Sequence, residues 1–183
     1  MAINDSLFSD GSDLTPIEKA ILDWQNETIA KIQESLDNTT NGTTGMLRQS
    51  FIPSEIKREG NTATFEIIAE DYYKFVDEGV QGVGGENKSK GGVFQNVAPN
   101  SPFSYKAGMK PSVKHFEAWA IRKQLNPFAV RESVFRKGLT PSYFYSKVMT
   151  DDWVNELSKR LETAGAGTVE IIIKENIENG NNN

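Results

Sequence analysis

The stretch Thr15-Pro16-Ile17-Glu18 sets where this chain begins to fold. A threonine three positions before a glutamate, with proline between them at the first helical position, forms a capping box. Behind it, Ile17, Ile21, Trp24, Thr28, Ile32 and Ser35/Leu36 recur at helical spacing, with charged residues on the opposite side. The pattern predicts an amphipathic helix of about five turns. The run DNTTNG that follows does not readily continue a helix.

Strands come next. In NTATFEIIAE, Ala63, Phe65 and Ile67 alternate with Thr62, Thr64 and Glu66. With the shorter FIPSEIKREGN and a Gly60-Asn61 turn, they predict a hairpin over about residues 54–69. TVEIIIKE at 168–175 is a second strand by its β-branched content, with Val169, Ile171 and Ile173 on one face. Between them, Asp71 to Glu78 suits a short helix and Pro111 opens PSVKHFEAWAIRKQL, whose Val113, Phe116, Trp119 and Ala120 share a face. PFAVRESVFRKG runs from Pro127 to a stop at Gly138, and DDWVNELSKRLETAGAG opens with acids and places Trp153/Val154, Leu157 and Leu161 at helical spacing. The order helix, hairpin, helices, strand predicts an α+β fold. Its expected parts are a small antiparallel sheet, a long N-terminal helix, a C-terminal helix-strand and a helical and loop insertion over about 80–140. At 183 residues the chain suits one domain, over 15–174. Residues 1–14 read as an acidic arm in which Leu7 and Phe8 are potential anchors, and 175–183 as a disordered tail.

Several chemistries find no support. The chain has no cysteine, which excludes disulfides and thiolate metal sites. No apolar run reaches the length of a membrane helix, and the N-terminus lacks the pattern of a secretory signal, so a soluble protein that folds where it is synthesised is expected. His115, the only histidine, lies on a charged helix and reads as a surface residue. The adjacent pairs Glu70-Asp71 and Asp77-Glu78 read as solvated, because neighbours in sequence do not converge on a helix face. The run GVQGVGGENKSKGG, Gly79 to Gly92, invites comparison with a phosphate-binding loop around Lys88 and Ser89. Gly82 fits that spacing, but Asn87 stands where glycine is required, and neither a buried parallel strand nor a following helix frames the run. It reads instead as a mobile loop of about 25 residues, a length usually kept for function. No catalytic, cofactor-binding or metal-ligating residue is expected.

Charge is distributed unevenly. From Gln81 to Thr140 there are ten Lys/Arg against three Asp/Glu, a net +7; the remainder has ten against twenty-two, a net −12. The basic segment therefore suits a partner of opposite charge: the acidic body of a neighbouring copy, or nucleic acid. Its candidate interface residues are Lys88, Lys90, Lys106, Lys110, Arg122, Lys123, Arg131, Arg136 and Lys137.

Three separated stretches resemble the lambdoid-phage family of tail-completion, or head–tail connector (neck), proteins. GMLRQSF at 45–51 resembles that family's Gly-x-Leu-Arg-x-Ser-hydrophobic segment. YYKFVDEGVQG at 72–82 resembles its Tyr-Ala-x-Tyr-Val-Glu-x-Gly-Thr segment, with Phe75, Asp77 and Val80 in place of the second tyrosine, the glutamate and the threonine. KGLTPSYFYSKVM at 137–149 resembles its Ala-Arg-Pro-Phe-Leu-x-Pro-Ala segment, without the arginine and the second proline. The helices over HFEAWAIRKQL and FAVRESVFRKG resemble an insertion in many relatives. The resemblance implies a non-enzymatic virion protein, made in the host bacterial cytoplasm. It would form a six- or twelve-fold ring in the neck or tail, against the portal or an adjacent connector or tail ring, with DNA only as channel cargo and no membrane. The alternative from the residues is a nucleotide- or DNA-binding protein that uses the glycine run and segment 81–140.

Overall fold

The structure, a computed structural model, describes residues 14–39, 45–59, 62–86 and 91–166. The expected strand at 168–175, the tail at 175–183 and nearly all of the N-terminal arm lie outside the described residues, as do Lys88, Lys90 and the Gly60-Asn61 turn. The fold is α+β, with helices and small antiparallel ladders.

Helix α1 spans Pro16–Thr39. Its capping box closes in both directions: Glu18 N donates to Thr15 Oγ1 at 3.3 Å, and Thr15 N donates to Glu18 Oε2 at 2.8 Å. Two of the amides that a helix start leaves unbonded are thereby satisfied. Ile21, Trp24, Thr28, Ile32 and Leu36 are buried as the spacing predicts, and Gln25 and Ile29 join them. Helix α2, Met46–Ser50, follows and buries Leu47.

The hairpin forms, but as two ladders. Strands β1 (Ile52–Pro53) and β4 (Ile67–Ile68) pair, and so do β2 (Lys57–Glu59) and β3 (Thr62–Thr64). Between them Ser54 N donates to Glu66 O at 2.9 Å, while Glu66 N donates to the Ser54 hydroxyl at 2.6 Å. A side-chain oxygen thus takes a position that a backbone carbonyl would hold in a continuous ladder. The alternation is as predicted: Ala63, Phe65 and Ile67 are half-buried and Thr62, Thr64 and Glu66 are exposed.

Helix α3 spans Tyr73–Glu78 and leads into β5, Val80–Gln81. Helices α4 (Lys114–Arg122) and α5 (Pro127–Lys137) form a hairpin, and β6 (Gly138–Leu139) returns to pair antiparallel with β5. Among the described residues the expected small sheet is therefore three separate two-stranded ladders. Helix α6 spans Asp151–Thr163, with the Thr150 hydroxyl accepting from Trp153 N at 3.3 Å.

The chain groups into two compact units. One holds residues 25–149. Its core consists of Ile29, Ile32, Leu36, Leu47, Phe51 and Phe144, with Tyr73 and Tyr145 packed against it. Phe51 meets Phe144 edge-on at 5.9 Å. The aromatic run Tyr143-Phe144-Tyr145 therefore supplies a core plug through Phe144, while Tyr143 stays 46% exposed. The other unit holds residues up to 24 and from 150. There the Trp24 and Trp153 rings stack at 6.0 Å, Trp24 Nε1 donates to Trp153 O, and Ile21, Leu157 and Leu161 are buried.

Candidate assembly interface

Two stretches far apart in the chain, 72–82 and 137–149, meet in space. The carboxylate of Asp77, on α3, lies 2% exposed and accepts from Tyr145 N at 2.7 Å, from Ser146 N at 3.3 Å and from the Ser146 hydroxyl. The backbone adds to the joint: Ser142 N and Tyr143 N donate to Asp77 O at 3.0 and 2.9 Å, and the Ser142 hydroxyl donates to Val76 O at 2.7 Å. The solvated reading of the Asp77-Glu78 pair is thus corrected for Asp77. A buried carboxylate persists when hydrogen bonds replace the water it loses. Its donors come from residues 68 and 69 positions further on, beyond any local pattern. The nearest hint in the sequence is the turn-forming Gly79 just after the pair.

The described part of the glycine run is hydrogen-bonded within its unit, while Lys88 and Ser89 lie outside the described residues. Val83 N and Gly84 N donate to Phe135 O and Arg136 O at 3.0 and 2.9 Å, and Gly82 N donates to Asn96 Oδ1 at 3.3 Å. These amides are used inside the chain, whereas a phosphate cradle needs them directed at the ligand. Glycine is required here by close approach. A Cβ on Gly82 would collide with Arg136 O and Gly138 N, and Gly138 itself has φ +95° against Val80 O. The described part of residues 80–107 is hydrogen-bonded to the rest of the unit. Gln81 N donates to Phe103 O at 2.8 Å, Tyr105 N to Gln81 O at 3.0 Å and Val97 N to Lys137 O at 2.8 Å. Phe103 packs edge-on to Phe75 at 4.7 Å. Burial against Phe135 pushes the Tyr105 phenol up from its ordinary value.

The basic residues sort into two groups. Lys110 and Arg136 converge on Glu132, Nζ to Oε2 at 2.7 Å and Nε to Oε1 at 3.0 Å, and Arg136 also donates to Gly84 O. Hydrogen bonds from Lys110 and then Arg136 hold the Glu132 carboxyl below its usual range. These two cations therefore brace α5 against the Gly84 backbone and the segment before α4. Lys106, Arg122, Lys123 and Lys137 are exposed, and the half-buried Arg131 sets its guanidinium 5.6 Å from the Phe128 ring.

Among the exposed large apolar residues, Ile121, Leu125 and Phe128 stand together, 69%, 49% and 60% exposed. All stand at the α4–α5 turn beside Arg122, Lys123 and Arg131. The signal that locates them is Asn126-Pro127, a cap followed by proline at the first helical position. Among the described residues no cluster of three or more His, Asp or Glu side chains is arranged to hold a metal, and no helix is long and apolar enough to cross a membrane. No family model, curated protein or solved structure matches the chain.

Proposed function

We propose that this chain is a structural protein of a bacteriophage particle, a ring-forming component of the neck or tail that joins the portal or an adjacent connector to the tail and continues the DNA channel. The observation that carries the reading is the Asp77 joint, which brings the FVDEG and TPSYFYS stretches of the resemblance into one hydrogen-bonded unit. The opposition of a +7 insertion to a −12 remainder supports it further, because complementary charge within one chain favours head-to-tail copies in a fixed orientation. In this reading the chain is not an enzyme and needs no cofactor. DNA is cargo, since a channel that gripped many phosphates would slow its passage. The protein is made in the host bacterial cytoplasm and ends in the virion.

Native mass spectrometry of the purified chain tests the reading. Closed rings of six or twelve copies are expected, as are particles whose heads fail to join tails when the chain is omitted. A chain that stays monomeric at every concentration, together with complete particles formed without it, overturns the proposal.

A further inference from the structure

The α4–α5 turn is built to display its apolar residues rigidly. Leu125 N donates to Ala120 O at 2.8 Å and Gln124 N to Ile121 O at 3.0 Å, with Gln124 at φ 55°. This is the Schellman arrangement, here with a residue other than glycine in the left-handed position. Asn126 Oδ1 then accepts from Phe128 N at 2.9 Å and Ala129 N at 3.3 Å, so α5 starts at once. Folding alone gives no reason to hold Ile121, Leu125 and Phe128 in water, and a pre-organised display loses little freedom on binding.

Elsewhere in the same unit, α2 and the β1–β4 ladder border a groove of about 400 Å³. Ile52 and Ile68 face each other across the ladder and are 49% and 47% exposed. Ala69 adds apolar surface, and Glu70 and Asp71 stand at the groove with no ion-pair partner among the described residues. A cavity of about 150 Å³ already holds a benzene ring, so there is room for the Phe128 ring and the Leu125 side chain together.

We propose that the α4–α5 turn of one copy plugs the β1–β4 groove of the next, with Leu125 and Phe128 on Ile52 and Ile68, and Arg122 and Lys123 against Glu70 and Asp71. The inference rests on the ring reading above and names its contact. Each copy carries both halves, so the contact is head-to-tail and repeats from copy to copy until it closes. An apolar anchor ringed by opposite charges is the usual composition of the part of an interface that supplies most of its affinity. Phosphate would satisfy the cations but leave the three apolar side chains wet, which favours a protein partner over nucleic acid.

The absence of native cysteine permits a direct test. Gln49 lines the groove and Ala129 adjoins Phe128, and both are exposed. The double variant Gln49→Cys/Ala129→Cys, treated with a short bismaleimide, is expected to give a ladder of oligomers. An equal mixture of the two single variants is expected to stop at dimers containing one of each. Arg122→Glu/Lys123→Glu in the double-cysteine chain is expected to cut the ladder by about tenfold or more, as is Glu70→Lys/Asp71→Lys, and combining the two reversals is expected to restore it. Rings seen by native mass spectrometry without this ladder overturn the docking pair and leave the ring reading standing. A chain that is monomeric throughout overturns both. A ladder that survives the Arg122/Lys123 reversal, while salt-sensitive binding to duplex DNA is lost, assigns the turn to nucleic acid and overturns the proposal.

Discussion

The Asp77 joint and the α4–α5 turn break the same rule in opposite directions. At the joint a carboxylate is buried; at the turn Ile121, Leu125 and Phe128 face water. The first is resolved within the chain, since two backbone amides and a hydroxyl replace the lost hydration. The second has no resolution within the described residues. A buried polar group with a full set of partners belongs to the fold, whereas apolar groups gathered in solvent mark the surface proposed above for a neighbouring copy.

The largest effect expected from this contrast is at Asp77. Asp77→Ala leaves Tyr145 N and Ser146 N without their acceptor and should lower unfolding free energy by about 3 kcal/mol or more. Asp77→Asn, which keeps one acceptor oxygen, should lose less. Chemical denaturation measures both, and an alanine variant as stable as the wild type would mean that the joint contributes nothing.

Gln124→Gly comes next and has the opposite sign. Glycine removes the cost of a left-handed backbone at φ 55°, so stability should rise by about 1 kcal/mol. A fall in melting temperature would show that the turn is not held as described.

Glu132 supplies a pH-dependent effect of under about 1 kcal/mol, because its partners are partly exposed. Its carboxyl is held below the usual range by Lys110 and Arg136, so the folded chain binds that proton less readily than the unfolded one. The stabilisation is present above the ordinary carboxylate range and is lost as pH falls through the lowered value. The stability gap between wild type and Glu132→Gln should therefore close on acidification. A gap that is constant from neutral to strongly acidic pH would remove the brace from the account.

The smallest effect is expected at the turn's apolar face. Phe128→Ser should change monomer stability by no more than about 0.5 kcal/mol, since the ring is 60% exposed. Thermal melts of dilute protein, set beside the oligomer mass at high concentration, separate the two roles. If the serine variant loses as much stability as Asp77→Ala, the ring belongs to the fold and the contrast between the two regions fails.

Much of the local architecture was legible from residue order alone. The capping box at Thr15 and Glu18, the α5 limits at Pro127 and Gly138, and the alternation of Ala63, Phe65 and Ile67 all appear where the sequence places them. These features depend on neighbours within a turn or a strand, and the spacing of residue types encodes such neighbours directly. The nine candidate cations were legible as charges, but not that Lys110 and Arg136 meet Glu132 or that Arg122 and Lys123 are exposed. Tertiary structure alone decided that Asp77 is buried, that the amides after Gly82 bond to the end of α5, and that Ile52 and Ile68 floor an open groove. Each of those depends on partners sixteen to sixty-nine positions away, and a hydrogen bond or a collision at that range leaves no periodic trace in the chain.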